Sequence, residues 1–166
     1  MEIQRMIGLE MILPEGKPPG FYAHIVKGIA DSSPPYDRFK ELLIYESEAQ
    51  LPQALEVLEH YRVPSEHVAL LLLPADLIEQ GDLYEDYAIV TRNGNAFIDL
   101  SLTAVFALNA AKPEAEAAPA LLQLKEHLVA SLTVDGEKLH LVDRQLAELA
   151  ERIAKAYGCG LRWLYE

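Results

Sequence analysis

The chain opens on alternation. Ile3, Ile7, Leu9, Met11 and Leu13 fall on one side of an extended segment, and Glu2, Gln4, Gly8 and Glu10 on the other; Arg5 is the misfit on the apolar side. That period of two predicts a half-buried strand over residues 2–13. Residues 14–20 (PEGKPPG) are turn chemistry, and residues 21–29 read as a returning strand, which gives a first hairpin. After a rigid polar loop at 31–35, residues 41–45 (ELLIY) predict a short apolar strand. Ser47 then caps a helix running to about residue 61, with Leu51, Leu55 and Leu58 on its inner face and Pro52 in its first turns. Val63 and Pro64 end that helix, and residues 67–73 (HVALLLL) form a second buried strand. Strand, helix and strand in this order predict a right-handed βαβ unit with its two strands parallel.

Residues 74–80 read as a single helical turn closed by Gly81. Asn93 and Gly94 are the preferred two-residue hairpin loop of type I′. Folding about them pairs Thr91 with Ala96, Ile89 with Ile98 and Tyr87 with Leu100, and sets Asp99 opposite Ala88. Residues 103–111 fit a short helix or a continued strand equally. Residues 112–119 (KPEAEAAP) read as a mobile connection, the one internal boundary in a single domain spanning 1–166. Leu121, Leu124, Leu128 and Leu132 then mark an amphipathic helix. Asp135 and Gly136 make a turn, and residues 139–142 a strand. Asp143 caps a last helix with Leu146, Leu149, Ile153 and Tyr157 inward; Gly158 follows it, and residues 161–165 close as a strand. The fold class is therefore α+β: a mixed β-sheet built from two hairpins, one βαβ unit and a C-terminal strand, covered by about three helices.

Composition changes this picture little until charge is counted. In 166 residues there are 26 acids against 14 bases, a net charge of −12. Residues 63–111 alone hold seven acids and one base, half of the whole excess. Phosphate contacts need clustered lysine and arginine, so no nucleic acid is expected as partner, and an anionic membrane surface is excluded on the same ground. The chain opens without the basic-then-apolar layout of a secretory signal and carries one cysteine, Cys159, so a cytoplasmic location is expected.

Catalytic and metal signatures are missing from the sequence. There is no Gly-x-Ser-x-Gly elbow, no glycine-rich phosphate loop before a helix, and no pair among His24, His60, His67, His127 and His140 at metal-binding helical spacing. Cys159 lies between two glycines after a helix, where the helix C-terminus disfavours a thiolate. Asp99 and Asp86 share a face of the expected hairpin, close enough for a diagonal carboxylate pair. No cofactor and no metal are implied, and no catalytic residue is assigned.

The segment that stands out is 76–87 (DLIEQGDLYEDY). Asp76, Glu79, Asp82, Glu85 and Asp86 are interleaved with Tyr84 and Tyr87. Like charges this dense favour exposure, and tyrosines are enriched at interfaces. The expected function is a non-catalytic, acidic protein-binding module for a basic partner. Small intracellular inhibitors of basic toxins, the immunity type, share its size and charge, with Asp76, Glu79, Asp82, Tyr84, Glu85 and Asp86 as the contact set. One alternative is a small-ligand or enzymatic domain, with a pocket beyond the carboxyl ends of the parallel strands near Glu46, Ser47 and Asp99. Another is a homodimeric structural subunit joined through apolar strand edges.

Overall fold

The computed structural model describes residues 2–166. The first half runs β1 (Gln4–Met11), α1 (Gly20–Ser32), β2 (Asp37–Phe39), β3 (Leu42–Tyr45), α2 (Leu51–His60) and β4 (Ser65–Leu73). A connecting stretch follows: β5 (Glu79–Gln80), the one-turn helix α3 (Tyr84–Tyr87), β6 (Ile89–Val90) and β7 (Ala96–Asp99). The second half runs β8 (Thr103–Asn109), α4 (Ala117–Leu124), β9 (Leu128–Val134), β10 (Glu137–Asp143), α5 (Ala147–Ala156) and β11 (Gly160–Leu164).

The fold is α+β, with the strands in two sheets rather than one mixed sheet. Their orders are β2-β3-β1-β4-β7-β6 and β11-β8-β10-β9-β5, and neighbouring strands pair antiparallel throughout. The strands β3 and β4 around α2 do run parallel, but β1 lies between them and pairs antiparallel with both. That is a split βαβ unit. The first half contains two of them, β1-α1-β2 around β3 and β3-α2-β4 around β1, which is the ferredoxin-like arrangement. The second half repeats it: β8 lies beside β10 and β11, and β10 beside β9. One topology therefore occurs twice in the chain.

Helices cover one face of each sheet. In the first, Leu9, Met11, Leu43 and Tyr45 pack with Ile25 and Ile29 of α1 and with Leu51, Ala54 and Leu58 of α2. In the second, Ala104, Phe106 and Val142 pack with Leu124 of α4 and with Ala150 and Ile153 of α5. A third cluster joins the halves: Leu71, Leu73 and Ile98 meet Val105, Ala107, Leu132, Leu139 and Leu141. The remaining apolar face of the first sheet (Met6, Leu42, Ile44, Leu70, Leu72 and Phe97) is buried by strand residues alone. This is accounted for by curling, because the two edges of that sheet meet. Asp37 on β2 accepts hydrogen bonds from Thr91 Oγ1 (2.6 Å), Asn95 Nδ2 (2.8 Å) and Asn93 Nδ2 (3.0 Å), all in the loop after β6. Side chains close the sheet where no backbone ladder does, and an edge left open is a liability for intermolecular pairing.

Several expected elements differ. Residues 21–29 lie in α1, not a strand: Phe21, Ile25 and Ile29 recur at helical spacing, and Ile25 and Ile29 are buried, so packing overrode the aromatic and β-branched propensity. There is accordingly no first hairpin. Ser47 makes no capping hydrogen bond; a 3-10 turn over Glu48–Gln50 leads into α2. The helix expected over 121–132 ends at Leu124, followed by a 3-10 turn, and Leu128 and Leu132 belong to β9. Residues 103–109 resolve as a strand. The connection at 112–119 already contains the start of α4 and is tied by the Glu116 amide to the Tyr157 carbonyl. The Asp143 carboxylate does accept from the Gln145 amide, as a cap should.

The two turn motifs exchange roles. At 91–95 the Thr91 carbonyl accepts from the Gly94 amide and the Thr91 amide donates to Asn95, with Gly94 alone at positive φ (84°). That three-residue loop with a glycine bulge pairs Ile89 with Phe97 and Val90 with Ala96, one residue off the expected register. The two-residue type I′ pattern occurs instead at Asp135 and Gly136, with φ of 51° and 79°. The register shift also removes the expected carboxylate pair. Asp86 lies in α3, whereas Asp99 sits across from Leu70 and acts electrostatically on Glu10. The Glu10 carboxyl is held above its ordinary value by burial, and further by Glu41, Asp99 and Glu66.

Candidate functional site

The second sheet is widened past its four-strand core by β5, which pairs Glu79 with Ser131 and Gln80 with Ala130 of β9. Gly81 allows this. Its amide donates to the Val129 carbonyl at 2.9 Å, and a Cβ there would stand 2.3 Å from the Leu128 carbonyl oxygen. The helices pack over β8 and β10, and the outer strip is left as a cavity of about 380 Å³. Leu121, Leu128 and Ala130 give it apolar walls; Glu79, Gln80, Lys125 and Lys138 rim it; Ser131 and His140 lie at its floor.

Ser131 and His140 are cross-strand partners on β9 and β10, and Ser131 Oγ lies 2.7 Å from His140 Nδ1. The imidazole is 3% exposed and lies against Phe106, ring centres 5.3 Å apart. Burial, with the Lys138 charge adding to it and Glu79 opposing, lowers its pKa from 6.5 to about 4, so the ring is neutral at pH 7. At the rim, the Lys138 ammonium meets the Glu79 carboxylate at 2.8 Å, and that bond and charge hold Glu79 below its ordinary value. Among the described residues, Lys125 has no carboxylate within salt-bridge distance and His140 Nε2 has no hydrogen-bond partner. Sealed side-chain polar atoms without a partner reduce, among the described residues, to Thr103 Oγ1, so Nε2 keeps access to the cavity.

The residues expected at a protein interface separate. Asp76, Glu79, Asp82, Glu85 and Asp86 are exposed, but Tyr84 is 7% exposed and packs in the core between the sheets. Tyr87 is half-buried, and its hydroxyl donates to Asp143. Of the alternative ligand residues, Glu46 and Ser47 border a shallow hollow with Arg5 and His67. Asp99 does not line it; its carboxylate accepts from the Ser101 amide and hydroxyl. Cys159 is buried beside Ala120 and Ala154. Among the described residues, no three His, Cys, Asp or Glu side chains converge to hold a metal ion, and no helix is long and apolar enough to cross a membrane.

Compared with known proteins, the chain matches no family model, no curated protein and no solved structure.

Proposed function

We propose that this protein binds a small organic molecule in the cavity enclosed by β5, β9, β10 and α4. The observation that carries the reading is His140: a neutral, almost wholly buried imidazole with one nitrogen bonded to Ser131 and the other open to a hollow with apolar walls and a charged rim. Concave sites with apolar walls and a few fixed polar groups are how proteins hold small ligands. The geometry favours binding over acyl transfer. In the serine–histidine–acid arrangement the histidine is oriented by an acid on its second nitrogen, and the carboxylate that lines this cavity, Glu79, is engaged by Lys138.

A fragment library followed by amide chemical shifts tests this. Hits are expected to move the amides of Gly81, Lys125, Ser131 and His140 together, and Leu121→Trp, which fills the cavity from α4, is expected to abolish those shifts while the rest of the spectrum is kept. A library whose hits all fall elsewhere would count against the cavity.

A second reading rests on the exposed acids Asp76, Asp82, Glu85 and Asp86, which suit docking of a basic protein. It draws on charge steering alone, since Tyr84 offers no exposed anchor. Reversing Asp82, Glu85 and Asp86 to lysine is expected to weaken capture of a basic partner at low salt and to matter little at high salt. Equal capture by both forms at low salt removes this reading.

A further inference from the structure

We propose that the cavity takes an amphipathic carboxylic acid, its carboxylate held by the Lys125 ammonium and by His140 Nε2–H, and its apolar tail laid along Leu121 and Leu128. The inference rests on the cavity being a ligand site and specifies the chemistry of what fills it.

The polarity of the floor follows from a hydrogen-bond count. If Nδ1–H donated to Ser131, the serine hydroxyl proton and the Nε2 lone pair would both lack partners, because Ser131 makes no other side-chain hydrogen bond among the described residues. If Ser131 donates to Nδ1, only Nε2–H is left over. The second tautomer leaves fewer unmet groups in a buried site, where each is costly. The floor therefore presents a donor and asks for an acceptor.

The rim supplies the sign of that acceptor. Two ammonium groups and one carboxylate line the cavity, in a chain where acids outnumber bases 26 to 14. Lys138 and Glu79 neutralise each other, which leaves Lys125 as the uncompensated charge. A cation and a neutral N–H donor above apolar walls describe an anionic acceptor head on a hydrocarbon or aromatic body. A phosphate-sized dianion is a poorer match, because the single uncompensated cation balances only one of its charges.

The test pairs octanoate and phenylacetate with their neutral primary amides, titrated into the full chain with the Gly81, Ser131 and His140 amides as readout. Each acid is expected to bind at least tenfold more tightly than its amide, and Lys125→Met, a change at an exposed side chain, to bring the two within about twofold. Amides that bind as well as the acids, or a preference that survives Lys125→Met, overturn the proposal but leave the cavity reading standing. Acids that bind nowhere while neutral fragments occupy the cavity overturn it in the same way. If acids, amides and the fragment library all leave these amides unmoved, the cavity reading falls too.

Discussion

Acidification from pH 7 to pH 4 is expected to remove about 3 kcal/mol of folding stability through His140 alone. The sign follows from where the proton goes. In the unfolded chain the imidazole takes up a proton near pH 6.5, whereas in the folded protein it stays neutral down to about 4. Between those values the unfolded state holds more protons, so stability is complete above 6.5 and drains away as the pH falls. The lowering comes first from burial, on a strand where Phe106 covers the ring, and then from Lys138. Glu10 acts in the opposite direction near the acid end, because its raised carboxyl gains a proton more readily when folded. Urea unfolding at several pH values between 7 and 4 measures the slope, and His140→Leu is expected to flatten it whatever it does to stability at pH 7. Parallel losses in the two proteins would refute the description of His140 as a buried neutral base.

Asp37→Ala is expected to cost about 3 kcal/mol at neutral pH, a scale set by charge-assisted hydrogen bonds together with the stranding of the buried Thr91 hydroxyl. The carboxylate is 6% exposed and accepts from Thr91, Asn93, Asn95 and the Arg38 amide. Burial raises its pKa, but the bonds from Thr91, Asn95, Arg38 and Asn93 together outweigh burial and leave the group below its ordinary 3.8. Its contribution is therefore complete above the unfolded value of 3.8 and is lost only as the pH falls through the lower folded value. The two acid effects thus occupy separate windows, His140 first and Asp37 after it. Denaturant midpoints with hydrogen exchange at β2 and β6 report on the variant: both edges should lose protection together. Unchanged exchange at β6 would mean that Asp37 does not close the sheet.

Strong periodicity was legible, and long-range pairing was not. The alternation of residues 2–13 and the apolar stripe of Leu51 and Leu58 lead straight to β1 and α2, and the parallel sense of β3 and β4 follows from the helix between them. Nothing local says that β1 will slide between those strands. One ambiguous period hides the cavity in the sequence. Leu124, Leu128 and Leu132 recur every four residues, which suits a helix, yet Leu128, Ala130, Leu132 and Val134 alternate equally well. With that stretch extended, the turn at Asp135 and Gly136 pairs Ser131 with His140 by counting alone. The histidine is visible as a residue and invisible as a site, because its partner lies in a stretch whose leucine spacing reads as a helix. No pattern could announce β5, a strand of two residues whose position depends on Gly81 meeting the backbone of β9.

The repeated topology has a kinetic consequence. Within each half, the four strands of the ferredoxin-like unit find their partners without help from the other half. Loop-closure entropy is modest for such self-contained units, so each can form early and independently. The pairing that ties the connecting stretch to the second half is β5 on β9, and β5 supplies one wall of the cavity. The site is thus completed only when β5 docks on the preformed second half, and a bound molecule would favour the docked strand by mass action over any state in which that half is folded but β5 is detached.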